Sequence, residues 1–379
     1  MTHQPPKRVI VFCLPGIGDA MQFTPAMTLL RQALPQAHIT AITMFRGTAD
    51  ILSTNPDLNE VRHFDFFNAS RLDGLRYIWS LRREGFDISI MTFPSNRLEY
   101  NVVNRLVGRR WRAAHRYGRQ SWQNLWFLNN VVVRESGTLH NVAENIRLIR
   151  ALCERVGAPL AATENVATPE LKLTLTVDDE GNAEQFMSKY EIGAETMLFG
   201  FHTYSSTFKN MHRKCWEKDS FVQLIHRLCE AHPQARFLIF TGPSDEEVNE
   251  YIMKHADGGG RTLLVREANL RRAAAVLKRC RVFISNDSGL MHVAGALGVP
   301  IVALFGPTNW RRLHPWTPRH VVVRANLPCM PCFHYSSRPL RCVANINFAC
   351  MREITVDEVF AAVQKLLTQT NANTITAQR

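Results

Sequence analysis

The sequence predicts an α/β protein made of two Rossmann-like domains. Two βαβ signatures in opposite halves of the chain, with a patternless stretch between them, carry the prediction. The first starts with an apolar strand at Arg8 to Leu14, then a glycine-rich turn, Pro15-Gly16-Ile17-Gly18-Asp19, that opens a helix. That helix runs to about Leu34, Pro35 ends it, and His38 to Met44 forms the next strand. The second signature is residues 281–308, RVFISNDSGLMHVAGALGVPIVALFGPT. It reads as a strand from Arg281 to Ser285, a polar turn Asn286-Asp287-Ser288-Gly289, a helix from Leu290 to Leu297 stopped by Gly298, and a strand from Ile301 to Phe305. Between the two signatures, residues 157–179 are rich in Ala, Thr and Pro and mark an interdomain linker. The expected division is a first domain over 1–176, a second over 177–355, and a final helix and tail over 356–379.

A chain of 379 residues has room for a core in each domain. Its 46% hydrophobic and 21% charged residues are ordinary for a globular protein. No apolar run approaches the roughly 18 residues that would span a bilayer. Lys7-Arg8 before VIVFCL imitates a signal peptide, but Pro15, Gly16 and Asp19 stand where a small-residue cleavage site would be. A cytoplasmic protein is expected. The net charge of +12 implies an anionic partner, such as nucleic acid, acidic lipid or phosphorylated sugar.

In the first half, Asp87 to Phe93 reads as a strand and Glu99 to Val107 as a helix. Residues 105–119 hold Arg105, Arg109, Arg110, Arg112, Arg116 and Arg119 interleaved with Trp111 and Tyr117. Such a run is either a solvated face or a cationic site for the phosphates of a bound molecule or for a membrane surface. His140 to Leu152 is an amphipathic helix. In the second half, a strand at Met197 to Phe201 leads into a loop, His202 to Lys214, and Trp216 enters a helix over about Lys218 to His232. Arg236 to Phe240 is a further strand, followed by a turn bearing Asp245, Glu246 and Glu247. Thr355 and Glu358 form a capping box at the start of the last helix, expected over Val356 to about Leu367 with a frayed tail beyond.

The chemistry concentrates at two turns. The turn at Asn286 to Gly289 lies at the carboxyl end of a strand, where open α/β sheets bind ligands. Its small residues allow close backbone approach, and the helix behind it presents unpaired N–H groups suited to a phosphate or diphosphate. The plainer reading is that Asp287 or Ser288 caps that helix and His292 is a satisfied helix histidine. Asp19 likewise either complements the start of its helix or acts as a positioned base. Nine cysteines are present, and Cys13, Cys153, Cys215, Cys229 and Cys280 are scattered. The other four, Cys329, Cys332, Cys342 and Cys350, cluster in the loop 329–350. Their Cys-x2-Cys start suits a structural Zn or Fe, with free or redox-active thiols as the alternative.

The string DSGLMHVAGALGVPIVALFGPT resembles the donor-site signature of glycosyltransferase family 9, whose best-known members are the ADP-heptose:lipopolysaccharide heptosyltransferases. GIGDAMQFTPAM, HNVAEN and Lys214-Cys215-Trp216 are similar to the family as well, so the resemblance covers both halves. It implies a GT-B fold, two Rossmann-like domains facing across a cleft, and an inverting transfer that needs no metal cofactor. It also implies Asp19 as general base, with Lys214 offsetting charge on the leaving diphosphate. Ser205, Ser206, Lys214, Glu246, Asp287, Ser288, Gly289 and His292 would bind the donor; the Glu246 role, against the ribose, is shared as a possibility with Asp245 and Glu247. Gly18, Arg109, Arg110 and Arg112 would bind the acceptor. The partners implied are a nucleotide-sugar, ADP-heptose above all, and a phosphorylated glycolipid of the lipopolysaccharide-core type, with peripheral contact at the inner membrane and no nucleic acid. Some relatives are reported to bind iron through a comparable cysteine loop. The same fold acting on a protein or another carbohydrate is the alternative, ahead of a sugar-nucleotide epimerase or a nucleic-acid-binding module.

Overall fold

The computed structural model describes residues 6–118, 122–158, 160, 169–242, 245–256, 259–335 and 338–377, with side chains as far as residue 369. Arg119, residues 159 and 161–168 of the expected linker, and Pro243 and Ser244 of the acidic turn lie outside the described residues. Contacts divide the chain into two units, Met1–Thr174 with Tyr335–Ser337, and Leu175–His334 with Arg338–Arg379.

The strands of the first unit are β1 (Arg8–Cys13), β2 (His38–Thr43), β3 (Glu60–His63), β4 (Ile88–Met91), β5 (Trp111–Arg116) and β6 (Val131–Arg134). Its helices are α1 (Ile17–Ala33), α2 (Arg46–Leu52), α3 (Arg71–Glu84), α4 (Leu98–Val107) and α5 (Asn141–Val156). All strands are parallel, in the order β3-β2-β1-β4-β5-β6. Val9 to Cys13 are fully buried, as a strand covered by helices on both faces requires. Because the strand order reverses between β1 and β4, a crevice opens beyond their carboxyl ends. Asp19, in the first turn of α1, lies at that end. The arginine run is not one face: Arg105 lies in the last turn of α4, and Arg109 and Arg110 lie in the bend before β5. Its centre is β5, with Ala113, Ala114 and His115 buried.

Two local devices brace the first unit. Pro25 sits inside α1 and has no N–H to offer the Met21 carbonyl one turn back. The Thr24 hydroxyl donates to that carbonyl at 2.7 Å instead, and accepts from Lys172 N at 2.9 Å. The His140 to Asn145 segment is a set of braces. His140 Nδ1 caps Val142 N, and the buried Glu144 accepts from Ser136 N and Oγ, both at 2.7 Å. Asn145 Oδ1 accepts from Phe93 N at 2.8 Å, just beyond β4.

The second unit repeats the plan. Its strands are β7 (Leu198–His202), β8 (Arg236–Phe240), β9 (Thr262–Val265), β10 (Val282–Asn286), β11 (Ile301–Phe305) and β12 (His320–Arg324), parallel in the order β12-β11-β10-β7-β8-β9. Its helices are α6 (Val177–Lys189), α7 (Lys218–Ala231), α8 (Glu246–Ala256), α9 (Leu270–Leu277), α10 (Gly289–Ala296), α11 (Trp310–Leu313), α12 (Ala349–Arg352) and α13 (Val356–Ala377). Here the order reverses between β7 and β10. Gly200 makes room at the centre of β7, where an added Cβ would lie 2.7 Å from the Phe283 ring. The capping box of α13 forms as expected, Thr355 N donating to Glu358 Oε2 at 2.9 Å. The helix continues to Ala377, past the end expected near Leu367, because no Gly or Pro interrupts the sequence there.

Replacing the buried Thr24 by Val keeps its shape but leaves the Met21 carbonyl and the Lys172 N–H without a partner. The variant is expected to lose about 1–3 kcal/mol, read as a lower urea midpoint; an unchanged midpoint would show that Pro25 needs no such compensation.

Candidate active site

In the second unit, the loops after β7 and β10 meet at the switch point. Lys214 Nζ lies 2.8 Å from Asp287 Oδ2, and both side chains are nearly buried, 11% and 8% exposed. Asn286, at the end of β10, holds the two loops together. Its Oδ1 accepts from Trp216 N at 2.9 Å, and its Nδ2 donates to His202 O at 3.4 Å. Trp216 in turn donates from Nε1 to Ile354 O at 2.8 Å. The Lys214-Cys215-Trp216 segment is therefore anchored on both sides of the lysine's own partner.

Ser288 is the N-cap residue of α10 by position, yet its side chain does not cap the helix. Its hydroxyl is engaged by His202 Nδ1 at 2.8 Å and by Ser285 Oγ at 3.1 Å. The first turn of α10, starting at Gly289, thus keeps its N–H groups clear of side-chain caps, and the helix dipole adds positive potential there. Burial pushes the Asp287 carboxyl up, but the Lys214 ammonium outweighs it and holds the group below the usual carboxylate range. Burial drives His202 and His292 down to about 4, so both are neutral rings at pH 7. Removing Lys214 alone would strand a buried carboxylate, at a cost of about 3–5 kcal/mol.

The flanking residues divide. The Ser205 backbone N–H points at the Cys215 sulfur, while Ser206 is exposed and its Oγ accepts from Phe208 N at 3.1 Å. Among the three acids after β8, the buried one is Asp245, whose Oδ1 accepts from Gly242 N at 2.6 Å. Glu246 instead faces solvent, 3.4 Å from the Arg266 guanidinium. Thr308, almost fully buried, faces the Asp287 carboxylate from the turn after β11.

The cysteine loop backs these turns. Cys332 N and Phe333 N both donate to Pro307 O at 2.9 Å, and Leu340 N donates to Lys209 O at 2.8 Å. Gly306 packs so closely on α12 that a Cβ would meet Met351 Sδ at 2.3 Å. Backbone N–H groups of Phe348, Ile346, Ala344 and Asn345 turn towards Cys342 and hold its thiol below the ordinary range. Burial, with the neighbouring Cys332, Cys329 and Cys342 sulfurs, pushes Cys350 up to about 11. The donor set suits a thiophilic ion, since four sulfurs feel one another's charge and one is ringed by N–H donors. Among the described residues, however, no three His, Cys, Asp or Glu side chains stand close enough to hold a metal. The thiols are gathered without being closed around one centre.

In the first unit, Asp19 is partly buried beside Gly16 and Gly18, and its carboxylate acts on the Tyr100 phenol. Arg97, at the N-cap position of α4, has its guanidinium over the Tyr100 ring at 5.8 Å. The arginines named from the sequence stand elsewhere. Arg109, Arg110 and Arg112 surround the amino end of β5, opposite the end of the sheet that carries Asp19. The Arg109 guanidinium covers Gly85, Arg110 lies over Trp111 at 4.1 Å, and Arg112 Nε donates to Leu128 O at 3.1 Å.

Residues 75–342, well over half of the chain, match the family model described as Glycosyltransferase family 9 (heptosyltransferase). The chain belongs to glycosyltransferase family 9. Lipopolysaccharide heptosyltransferase 3 of Escherichia coli K12 is 23% identical over 358 residues, covering 92% of this chain and 95% of its own. The solved E. coli ADP-heptose lps heptosyltransferase II superposes with a TM-score of 0.72 at 21% identity, covering 96% of this chain and 99% of its own. The iron-containing dodecameric glycosyltransferase TibC of enterotoxigenic E. coli superposes with a TM-score of 0.57 at 14% identity, covering 98% of this chain and 78% of its own. These structures share the GT-B fold, and the two sheets described above are its two Rossmann-like units. Among the described residues, no helix of this glycosyltransferase is long and apolar enough to cross a membrane.

Lys214, Asp287 and Ser288, singled out from the sequence, come together at these turns. His202, Asn286 and Thr308 beside them, and Arg97 and Tyr100 near Asp19, were not singled out. His202, Asn286 and Thr308 stand on or just beyond the carboxyl ends of strands, where ligands bind in open α/β sheets, whereas Arg97 and Tyr100 belong to the start of α4. His202 and His292 have folded-state pKa values of about 4 against about 6.5 in an unfolded chain. Between those values the unfolded chain binds more protons, so the stability they contribute is present above pH ~6.5 and is lost as the pH falls towards ~4. Thermal midpoints measured from pH 7 to 4.5 should fall with pH, and less steeply in His292→Gln; equal slopes would show that His292 is not held neutral.

Proposed function

We propose that this family 9 glycosyltransferase moves heptose from ADP-heptose to a phosphorylated acceptor of the lipopolysaccharide-core type, with inversion at the anomeric carbon. The observation that carries this reading is the Lys214–Asp287 pair, buried at the switch point beside the open first turn of α10. In this reading the diphosphate lies against the α10 amides with Ser288 and Gly289 lining its path. Asp287 keeps Lys214 fixed near the leaving oxygen, where preorganised positive charge stabilises the departing ADP without a metal. Asp287 and His292 thus act on the donor mainly through that lysine. Both are too buried to offer much surface of their own.

The acceptor hydroxyl attacks the anomeric carbon as the bond to the diphosphate oxygen breaks. Asp19 accepts the proton, and Gly18 lets the acceptor approach the start of α1. Arg97 is the cation near Asp19 that suits an acceptor phosphate; the arginines around the start of β5 are not used. Family members named for ADP-heptose support the donor. In this reading the thiols of the four-cysteine loop, gathered but not closed around one centre, would draw together on a structural Zn or Fe ion and brace the turn at Pro307 and the loop at Lys209; the iron-containing relative supports it.

Two experiments test this. ADP and ADP-heptose, well above their Kd, should raise the thermal midpoint by the equivalent of a few kcal/mol. Asp19→Asn should keep that shift while transfer falls roughly 10²- to 10⁴-fold. Stabilisation by UDP- or GDP-sugars alone would overturn the donor, and transfer at the wild-type rate would overturn Asp19. For the cysteine loop, metal analysis of untagged protein should find zinc or iron in stoichiometric amount, with chelation lowering the melting temperature; metal-free protein of unchanged stability would refute the assignment.

A further inference from the structure

Helix α3 has two apolar faces, and only one of them is used by the fold. Its inner face carries the buried Leu81 and the half-buried Tyr77 and Ile78, with Tyr77 stacked on Phe64 at 4.1 Å. Its outer face carries Leu72, Leu75 and Trp79, which are 56%, 60% and 53% exposed. At about 100° per residue these three form a single stripe along the helix. The same geometry puts Arg76 and Arg83 along one flank of the stripe and Arg71 and Arg82 along the other, all four exposed. The Arg82 guanidinium lies 5.8 Å from the Trp79 ring and is fixed by donation to Leu106 O at 2.6 Å. A shallow groove lined by Leu75, Ile78, Trp79 and Leu106 extends the apolar surface towards α4.

Among the described residues, the acidic groups of α3 pair with one of the four flanking arginines, Arg76. Asp73 is taken up by Ser70 and Arg76, and Glu84 turns back to Arg8 and Arg62. A solvent-facing helix ordinarily shows a polar outer side, and a contiguous apolar stripe marks a surface that something covers. An apolar stripe with arginines on both flanks fits a bilayer surface. The apolar side chains enter the headgroup–acyl boundary, and the long arginine stems let the guanidinium groups rise to the phosphates.

We propose that α3 docks the protein on an anionic lipid surface, with Leu72, Leu75 and Trp79 inserted and Arg71, Arg76, Arg82 and Arg83 pairing with lipid phosphates. This docking does not depend on which sugar or acceptor the enzyme uses. Charge complementarity selects the occupant, because the flanks and the chain as a whole are cationic.

The test is co-sedimentation of the full-length protein with vesicles of phosphatidylglycerol and phosphatidylcholine, against vesicles of phosphatidylcholine alone. Binding should require phosphatidylglycerol and weaken as salt is raised. Leu72→Ser, Leu75→Ser and Trp79→Ser together should abolish it at unchanged melting temperature, since all three side chains are more than half exposed. Arg71→Gln, Arg76→Gln and Arg83→Gln should each reduce partitioning about fivefold. Absence of binding to phosphatidylglycerol vesicles, equal binding to both vesicle types, or full binding by the triple serine variant would each overturn the proposal. So would a lipid-free dimer that the triple variant abolishes while vesicles go unbound, because the stripe would then be a protein interface.

Discussion

A lysine and an aspartate buried against each other impose the main constraint on the second unit. An isolated carboxylate at that depth would be neutral or destabilising, so Lys214 has to be delivered to Asp287 from a loop that starts at a different strand. The fold meets that demand with Asn286, which bonds to the backbone on both sides of the loop, at Trp216 and at His202. With Ser288 engaged by His202 and Ser285, α10 begins without a side-chain cap. The same contacts that make the pair stable leave the first turn of α10 without a side-chain cap at the carboxyl end of the sheet.

The loop that bears four cysteines gains a structural meaning from its neighbours. It donates two N–H groups to the carbonyl of Pro307 and one to that of Lys209, so it supports the turns on either side of the site. Gly306 has to be glycine because α12 presses on it. The first unit uses comparable economies. Thr24 replaces a hydrogen bond that Pro25 cannot make, and Asn145 fixes the chain just beyond β4. Several residues that look like signature elements of an active site therefore hold backbone in place.

Arginine is used in three ways that composition cannot separate. Arg109 and Arg112 complete the local backbone around β5, Arg97 stands near Asp19 and Tyr100, and the arginines of α3 face solvent beside an apolar stripe. A net charge of +12 is the sum of these uses and assigns none of them.

The sequence by itself determined the α/β class, both βαβ units, the glycine-rich and Asp-Ser-Gly turns and the family, because hydrophobic period, helix stops and turn chemistry are local. It also singled out Asp19, Lys214 and Asp287 as residue types that could carry the chemistry. Only the tertiary structure decided that Lys214 meets Asp287, that Ser288 is occupied by a histidine far along the chain, and that Asp245 rather than Glu246 turns inward. It also decided that Arg109, Arg110 and Arg112 belong to the amino end of their strand. These are pairings between distant segments, set by strand order and burial, and a linear pattern of residues carries no record of which end of a sheet a side chain will reach.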